Sequence, residues 1–188
     1  MEMTQMLLTD SVIRKKAKEN GLIYPYDETQ LQPCSYDVTL SSSIIRYVGS
    51  GIIDASSRTL DNTLEYFKFN MNDEGYILEP GEFILGSTNE SLSLPDRLAA
   101  RYEGKSSMGR IGLASHITAG FIDPGFRGTI TLEIKNENNH QIRIRPDMKI
   151  GQFCFFETSP VERPYGSEEL GSHYQGQIGT TPSAIQYA

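Results

Sequence analysis

The chain has 188 residues, with 17 Lys plus Arg against 24 Asp plus Glu and a formal charge of −7. That length suits one domain whose core needs no disulfide or metal staple, and the acidic balance argues against a nucleic-acid coat, which needs excess positive charge. Two cysteines without a CxxC pair (Cys34, Cys154) and three scattered histidines argue against a disulfide framework and a four-ligand structural zinc site.

No apolar run approaches the roughly 20 residues of a membrane span. Residues 1–20 lack a signal-peptide core, since Met6-Leu7-Leu8 gives way at once to Thr9-Asp10. With the cysteine usage, this points to a reducing cytoplasm.

Residues 9–20, TDSVIRKKAKEN, predict a short N-terminal helix capped by Thr9, Asp10 or Ser11 and closed by Gly21. Its basic cluster (Arg14, Lys15, Lys16, Lys18) suits a solvated face near the negative helix end. The pattern then turns to strands: 35–40, 44–48, two runs around Pro80-Gly81 in 76–88, 98–104, 129–136, 142–146 and 150–157. Short strands, frequent Gly/Pro and no long helix between them predict an all-β sandwich or barrel-like fold. Residues 49–75 read as a polar, irregular surface excursion. Residues 164–188 carry four glycines and little aliphatic content, as in a mobile tail or a lid that orders over a ligand.

Residues 103–133 hold the chemistry. Gly104-Lys105-Ser106-Ser107-Met108-Gly109-Arg110 gathers glycines, hydroxyls and two cations, the groups that cradle phosphate. It falls short of a P-loop, because position 99 is Ala and Gly109 and Gly112 interrupt the helix that follows. The bland alternative is a polar turn. Asp123-Pro124-Gly125-Phe126 predicts a type II β-turn, with Asp123 either a turn former or a functional carboxylate. In TITLEIKN, Thr129, Thr131 and Glu133 share one face, and Ile130, Leu132 and Ile134 the other. Glu133 faces either solvent or a pocket, where burial would suit it to proton transfer.

Taken together, GKSS-x-G-R, T-A-G-x-I-D-P-G-F and T-L-E resemble the dCTP deaminase/dUTPase family. The likeness runs from Pro33-Cys34-Ser35-Tyr36-Asp37-Val38 to Pro182-Ser183, through Glu79-Pro80-Gly81-Glu82-Phe83, Ile150-Gly151-Gln152 and Tyr174-Gln175-Gly176-Gln177. It implies a distorted, jelly-roll-like β-barrel of the dUTPase-like (β-clip) kind, with 1–188 as one domain and 164–188 as its lid or tail. It also implies a homotrimer with active sites at subunit interfaces.

Carried over by position, the resemblance puts Lys105, Ser106, Ser107 and Arg110 on the triphosphate, with Met108 and Gly109 in the same loop. Asp123 falls on the deoxyribose 3′-hydroxyl and on the water that attacks the α-phosphate. Phe126 falls against the sugar, and Thr131, Leu132 and Glu133 along the pyrimidine, with Glu133 the acid/base. Gln152, Tyr165, His173 and Gln177 reach phosphate or base. Ser106 and the backbone near Ala119 would hold the attacking water, and Arg110 would tune Glu133 and Ser106.

The zinc-deaminase pattern H-x-E with P-C-x-x-C is absent from the sequence, so the implied deamination uses no zinc. Mg²⁺ would ride on the nucleotide triphosphate. Gly120-Phe121 looks like the bifunctional members, which form dUMP, where deaminase-only members resemble His-Arg. A deaminase stopping at dUTP, a dUTPase alone and a trimeric nucleotide-binding module are the alternatives. The tail position usually held by Lys is His173, a weaker phosphate partner whose charge depends on pH. Feedback inhibition by dTTP is a further family expectation.

Overall fold

The computed structural model describes residues 6–49, 53 and 65–184. The first half of the chain runs β1 (Met6–Leu7), α1 (Asp10–Asn20), β2 (Ile23–Tyr24), β3 (Leu31–Gln32), β4 (Ser35–Thr39), β5 (Ser43–Val48), β6 (Glu65–Asn70), β7 (Tyr76–Leu78) and β8 (Phe83–Ser93). The second half runs β9 (Leu98–Gly104), α2 (Ser106–Gly109), β10 (Leu113–Ala114), β11 (Phe121–Ile122), β12 (Arg127–Asn136), β13 (Ile142–Ile144) and β14 (Lys149–Glu157). Helix α1 begins and ends as its sequence predicts. Ile13 and Ala17, one turn apart, are its buried residues. Gly21 closes it at φ 64°, a left-handed conformation that glycine adopts without strain. Thr9 occupies the N-cap without a side-chain bond to the helix amides.

Two six-stranded antiparallel sheets carry the fold. One runs β11-β9-β14-β4-β3 with β1 added to β14; the other runs β10-β12-β8-β5-β6 with β2 added to β8. A small pair, β13-β7, stands beside them. Their inward side chains form one hydrophobic cluster, including Tyr36, Phe153 and Phe155 from the first sheet and Ile84, Leu132 and Ile134 from the second. The expected all-β, jelly-roll-like distorted barrel is thus built from two open sheets packed face to face. A single bridge between Leu40 and Thr88 joins them at one corner, and register shifts interrupt the ladders at Lys149/Gly151 and Thr129/Thr131. Closure would need continuous pairing around the ring, and among the described residues the edge strands β3, β11, β6 and β10 are not joined to one another.

Two expectations are corrected or refined. The excursion at 49–75 contains a true strand, β6, paired along β5 from Ser43–Asn70 to Val48–Glu65; most of the remainder lies outside the described residues. The stretch after β14 first bonds Arg97, Asp96 and Pro124 from Thr158, Val161 and Tyr165, makes one 3₁₀ turn at Glu168–Leu170, and then bonds along β12 at 175–181. Gly176 N–H donates to Arg127 O and Thr129 N–H to Gln177 O, while the Gln177 amide donates back to Thr129 O. Thr180, fully buried, donates through Oγ1 to Ser43 O, and its own carbonyl accepts from Lys68 Nζ. Within the segment, Gly166 N–H donates to Ser172 Oγ, Tyr174 N–H to Tyr165 Oη and Ala184 N–H to Tyr174 Oη, so its order comes from these bonds together with those to β12 and β5. No helix among the described residues is long and apolar enough to cross a membrane.

Candidate active site

Strand β12 supplies the central residue. Its alternation sends Ile130, Leu132 and Ile134 into the core and leaves Thr131 and Glu133 half-buried on the opposite face. Glu133 is directly opposite Leu85 of β8. Its Oε2 accepts two backbone N–H bonds, from Ile117 at 2.9 Å and Thr118 at 3.0 Å. One oxygen is thus held by the loop before β11. Oε1 takes no hydrogen bond from the described residues.

Asp123 sits at the start of the predicted turn. Phe126 N–H donates to Asp123 O at 3.2 Å and Gly125 has φ 94°, the geometry of a type II turn. The turn buries Phe126 and leaves the Asp123 carboxylate exposed. Phe126 and Tyr165 pack ring against ring at 5.6 Å. Burial pushes the Tyr165 phenol pKa up, and its oxygen accepts from Tyr174 N–H at 3.1 Å.

Glu133, Asp123 and Phe126 line one pocket of about 370 Å³, together with Ala119, Phe121, Thr131, Tyr165 and Gln177 of the predicted set. Most of the lining is apolar, and no lysine or arginine lines it. Sequence reasoning missed part of this wall. Tyr47 and Phe83, stacked at 6.5 Å, and Leu85 form the side facing Glu133. Ile130 also contributes, because the register break beside it interrupts strict alternation. Thr181, Pro182 and Ser183 close the end. The aromatic and apolar alternation of β5 and β8 was a signal for these residues, but nothing in it says which face meets a ligand.

The remaining predicted residues lie elsewhere. Leu132 is in the core, as alternation requires, so only its backbone belongs to the pocket side of the strand. His173 is exposed, packed edge-on against the Tyr174 ring at 6.4 Å, and does not line the pocket. Gly120 is buried beneath the pocket loop. A Cβ there would meet Tyr102 O at 3.0 Å and the His116 ring at 3.3 Å.

Lys105, Ser106, Ser107, Met108, Gly109 and Arg110 stand outside the pocket, where the last five form and cap the one-turn helix α2. Ser106, Ser107 and Arg110 are exposed, and Arg110 forms no ion pair among the described residues. Lys105 reaches back to the first sheet: Nζ is 2.6 Å from Asp37 Oδ1. Gln152 is directly opposite Asp37 across the β14–β4 ladder and accepts from Ser35 Oγ at 2.9 Å.

Comparison with known proteins shows the family. Residues 7–158 match the family model for dCTP deaminase-like proteins. A protein of Mycobacterium tuberculosis named dCTP deaminase, dUMP-forming, is 48% identical over 180 residues, covering 95% of this chain and 95% of its own. One of the same name from Streptomyces coelicolor is 50% identical over 183 residues, covering 95% and 94%. The crystal structure of 2′-deoxycytidine 5′-triphosphate deaminase from Agrobacterium tumefaciens shares the fold at TM-score 0.65 and 24% identity, over 82% of this chain and 49% of that one. With its sheets, its Glu133 pocket and these relatives, the chain belongs to the dCTP deaminase-like family.

Proposed function

We propose that the protein converts dCTP to dUMP, ammonia and diphosphate, deaminating C4 first and then releasing diphosphate. The observation that carries this reading is the shared pocket of Glu133 and Asp123 in a chain about half identical to dUMP-forming deaminases. The two carboxylates sit in different settings. Glu133 is half-buried beside Leu85 and anchored by two amides, while Asp123 is open at the rim.

With Oε2 anchored, Oε1 of Glu133 is free to take a proton from water as that water adds to C4 of cytosine. The same carboxyl returns protons to N3 and to the departing amine, so dCTP and water give dUTP and ammonia. Ser106 and the backbone at Ala119 hold the water, and Arg110 favours the ionised carboxylate. Asp123 then orients a second water toward the α-phosphate, and its addition expels diphosphate and leaves dUMP. Phe126 fills the space a ribose 2′-hydroxyl would need, and Thr131 borders the pyrimidine. Tyr165, Gln177 and the rest of 164–188 act as the lid, which the bonds of Gln177 and Thr180 to β12 and β5 support.

One chain is incomplete for this substrate, because its pocket has no cation and its Lys105–Arg110 loop has no pocket. A homotrimer with the loop of one subunit entering the pocket of the next supplies both. Magnesium would ride on the triphosphate rather than on protein ligands, and would there supply charge neutralisation for the diphosphate leaving group. The Asp37 carboxylate, which contacts Lys105 of the phosphate loop, is already committed to lysines. dTTP, a pyrimidine nucleotide of the same shape, would compete for the pocket. A cytoplasmic location fits a soluble nucleotide substrate.

The test is a product assay. Purified protein is incubated with dCTP, with and without Mg²⁺ after chelator treatment, and dCTP, dUTP, dUMP and diphosphate are resolved by chromatography. dUMP with little free dUTP is expected. Accumulating dUTP would leave a deaminase alone and overturn the assignment of Gly120-Phe121.

A further inference from the structure

The Asp37 carboxylate is 2% exposed, yet it binds two lysines: Lys105 Nζ lies 2.6 Å from Oδ1 and Lys149 Nζ lies 3.1 Å from Oδ2. The Gln32 amide adds a third donor to Oδ2 at 3.3 Å. The lysines themselves are open to solvent, at 26% and 44% side-chain exposure. The carboxylate therefore lies beneath and the ammoniums above it. Each ammonium has three N–H donors and spends one on Asp37, so each retains two. Without the carboxylate, two like charges this close would repel. With it, they share one anchor and the trio keeps a net charge of +1.

Gln152 stands next to this trio, directly across the ladder from Asp37. Because its Oε1 accepts from Ser35 Oγ, its amide N–H groups are left for another acceptor. Two ammoniums and an amide thus present donors on the sheet that carries the phosphate loop, while the Glu103 carboxylate, opposite Gln152 on its other side, is paired with Arg101 at 3.5 Å.

We propose that Lys149 is a further substrate-binding residue and that Asp37 is its positioning residue. The buried carboxylate holds Lys105 and Lys149 as a two-pronged clamp for the phosphate tail of the nucleotide. This rests on the assignment of Lys105 to the triphosphate. It adds a second cation from a distant strand, β14, and a reason for a buried aspartate beneath an anion site. The tail binds without displacing Asp37, since each lysine keeps free donors.

The experiment compares the parent with Lys149→Gln, Lys149→Arg and Lys15→Gln. The last removes the same charge from an exposed position on α1. KM and kcat for dCTP are measured with the inhibition constant of inorganic tripolyphosphate, whose direct binding is followed by calorimetry. Losing one charge-assisted contact from a partly exposed site predicts a rise of about tenfold in KM and a matching rise in the inhibition constant for Lys149→Gln. The effect on kcat is much smaller, as expected for loss of uniform binding. Lys149→Arg recovers most of the loss, and Lys15→Gln shows none.

Parent-like KM and tripolyphosphate binding in Lys149→Gln overturn the clamp while leaving the deaminase reading intact. A parent that binds tripolyphosphate through Lys149 yet leaves dCTP unchanged supports the clamp and overturns the deaminase reading. Asp37→Asn, if folded, should weaken tripolyphosphate binding at least as much as Lys149→Gln.

Discussion

Replacing Glu133 by Gln separates the two half-reactions. The amide keeps the shape of the carboxyl and one carbonyl oxygen, so it can still accept from Ile117 and Thr118. Two bonds to a charged acceptor become bonds to a neutral one, a change of about 1 kcal/mol each at most. For a chain of this size that lowers the melting temperature by roughly 2–8 °C and leaves a folded protein at 25 °C.

The chemical loss is larger. Acid–base catalysis contributes about 10²–10⁴ in rate, or roughly 3–5 kcal/mol of barrier. The variant is assayed on dCTP and on dUTP separately, each by chromatography of nucleotide products. Deamination of dCTP is expected to fall by at least about 10², while cleavage of dUTP, which depends on Asp123, stays within about tenfold of the parent. Near-parent deamination of dCTP would refute the acid/base role. Equal loss on both substrates would show that Glu133 acts by holding the 117–118 loop.

Other parts of the molecule carry their own predictions. Gly151→Ala places a Cβ 2.2 Å from the buried Tyr102 ring, so overpacking should cost about 3 kcal/mol and lower the melting temperature by about 6–12 °C; an unchanged melting curve would show that Tyr102 moves freely. Glu28 is bound by Lys18 at 2.9 Å and Arg14 at 2.6 Å, and their hydrogen bonds lower its pKa from 4.5 to about 2. A carboxylate lowered this way stabilises the fold above its unfolded pKa and loses that contribution as pH falls from 4.5 toward 2. Urea denaturation at a series of pH values should therefore show Glu28→Gln less stable than the parent near neutrality, with the gap closing over that acid window; a gap independent of pH would disprove the linkage. Limited proteolysis should cut the 164–184 segment more slowly when a non-hydrolysable dCTP analogue is present, and identical cleavage in both conditions would count against a lid.

Local signals in the sequence determined much of this protein. Helix α1 with its glycine stop, strand β9 at 98–104, the turn at Asp123 and the inward–outward alternation of β12 all follow from short-range rules of cap, turn and period. The family motifs named Glu133, Asp123 and the Lys105–Arg110 loop as functional.

Tertiary structure decided which of these meet. That Glu133 is anchored by the amides of Ile117 and Thr118 depends on packing the loop before β11 against β12, and no local pattern encodes it. Strand β6 has a pattern too weak to read without β5 beside it, because a strand's stability comes largely from its partner. The ordered course of 174–184 likewise depends on hydrogen bonds to β12 and β5, which no local pattern in the segment encodes. Asp37, Lys105 and Lys149 are 68 and 112 positions apart along the chain. They form one cluster only because β4 and β14 pair and β9 lies on the other side of β14, so contacts set by sheet order are invisible to any window along the sequence.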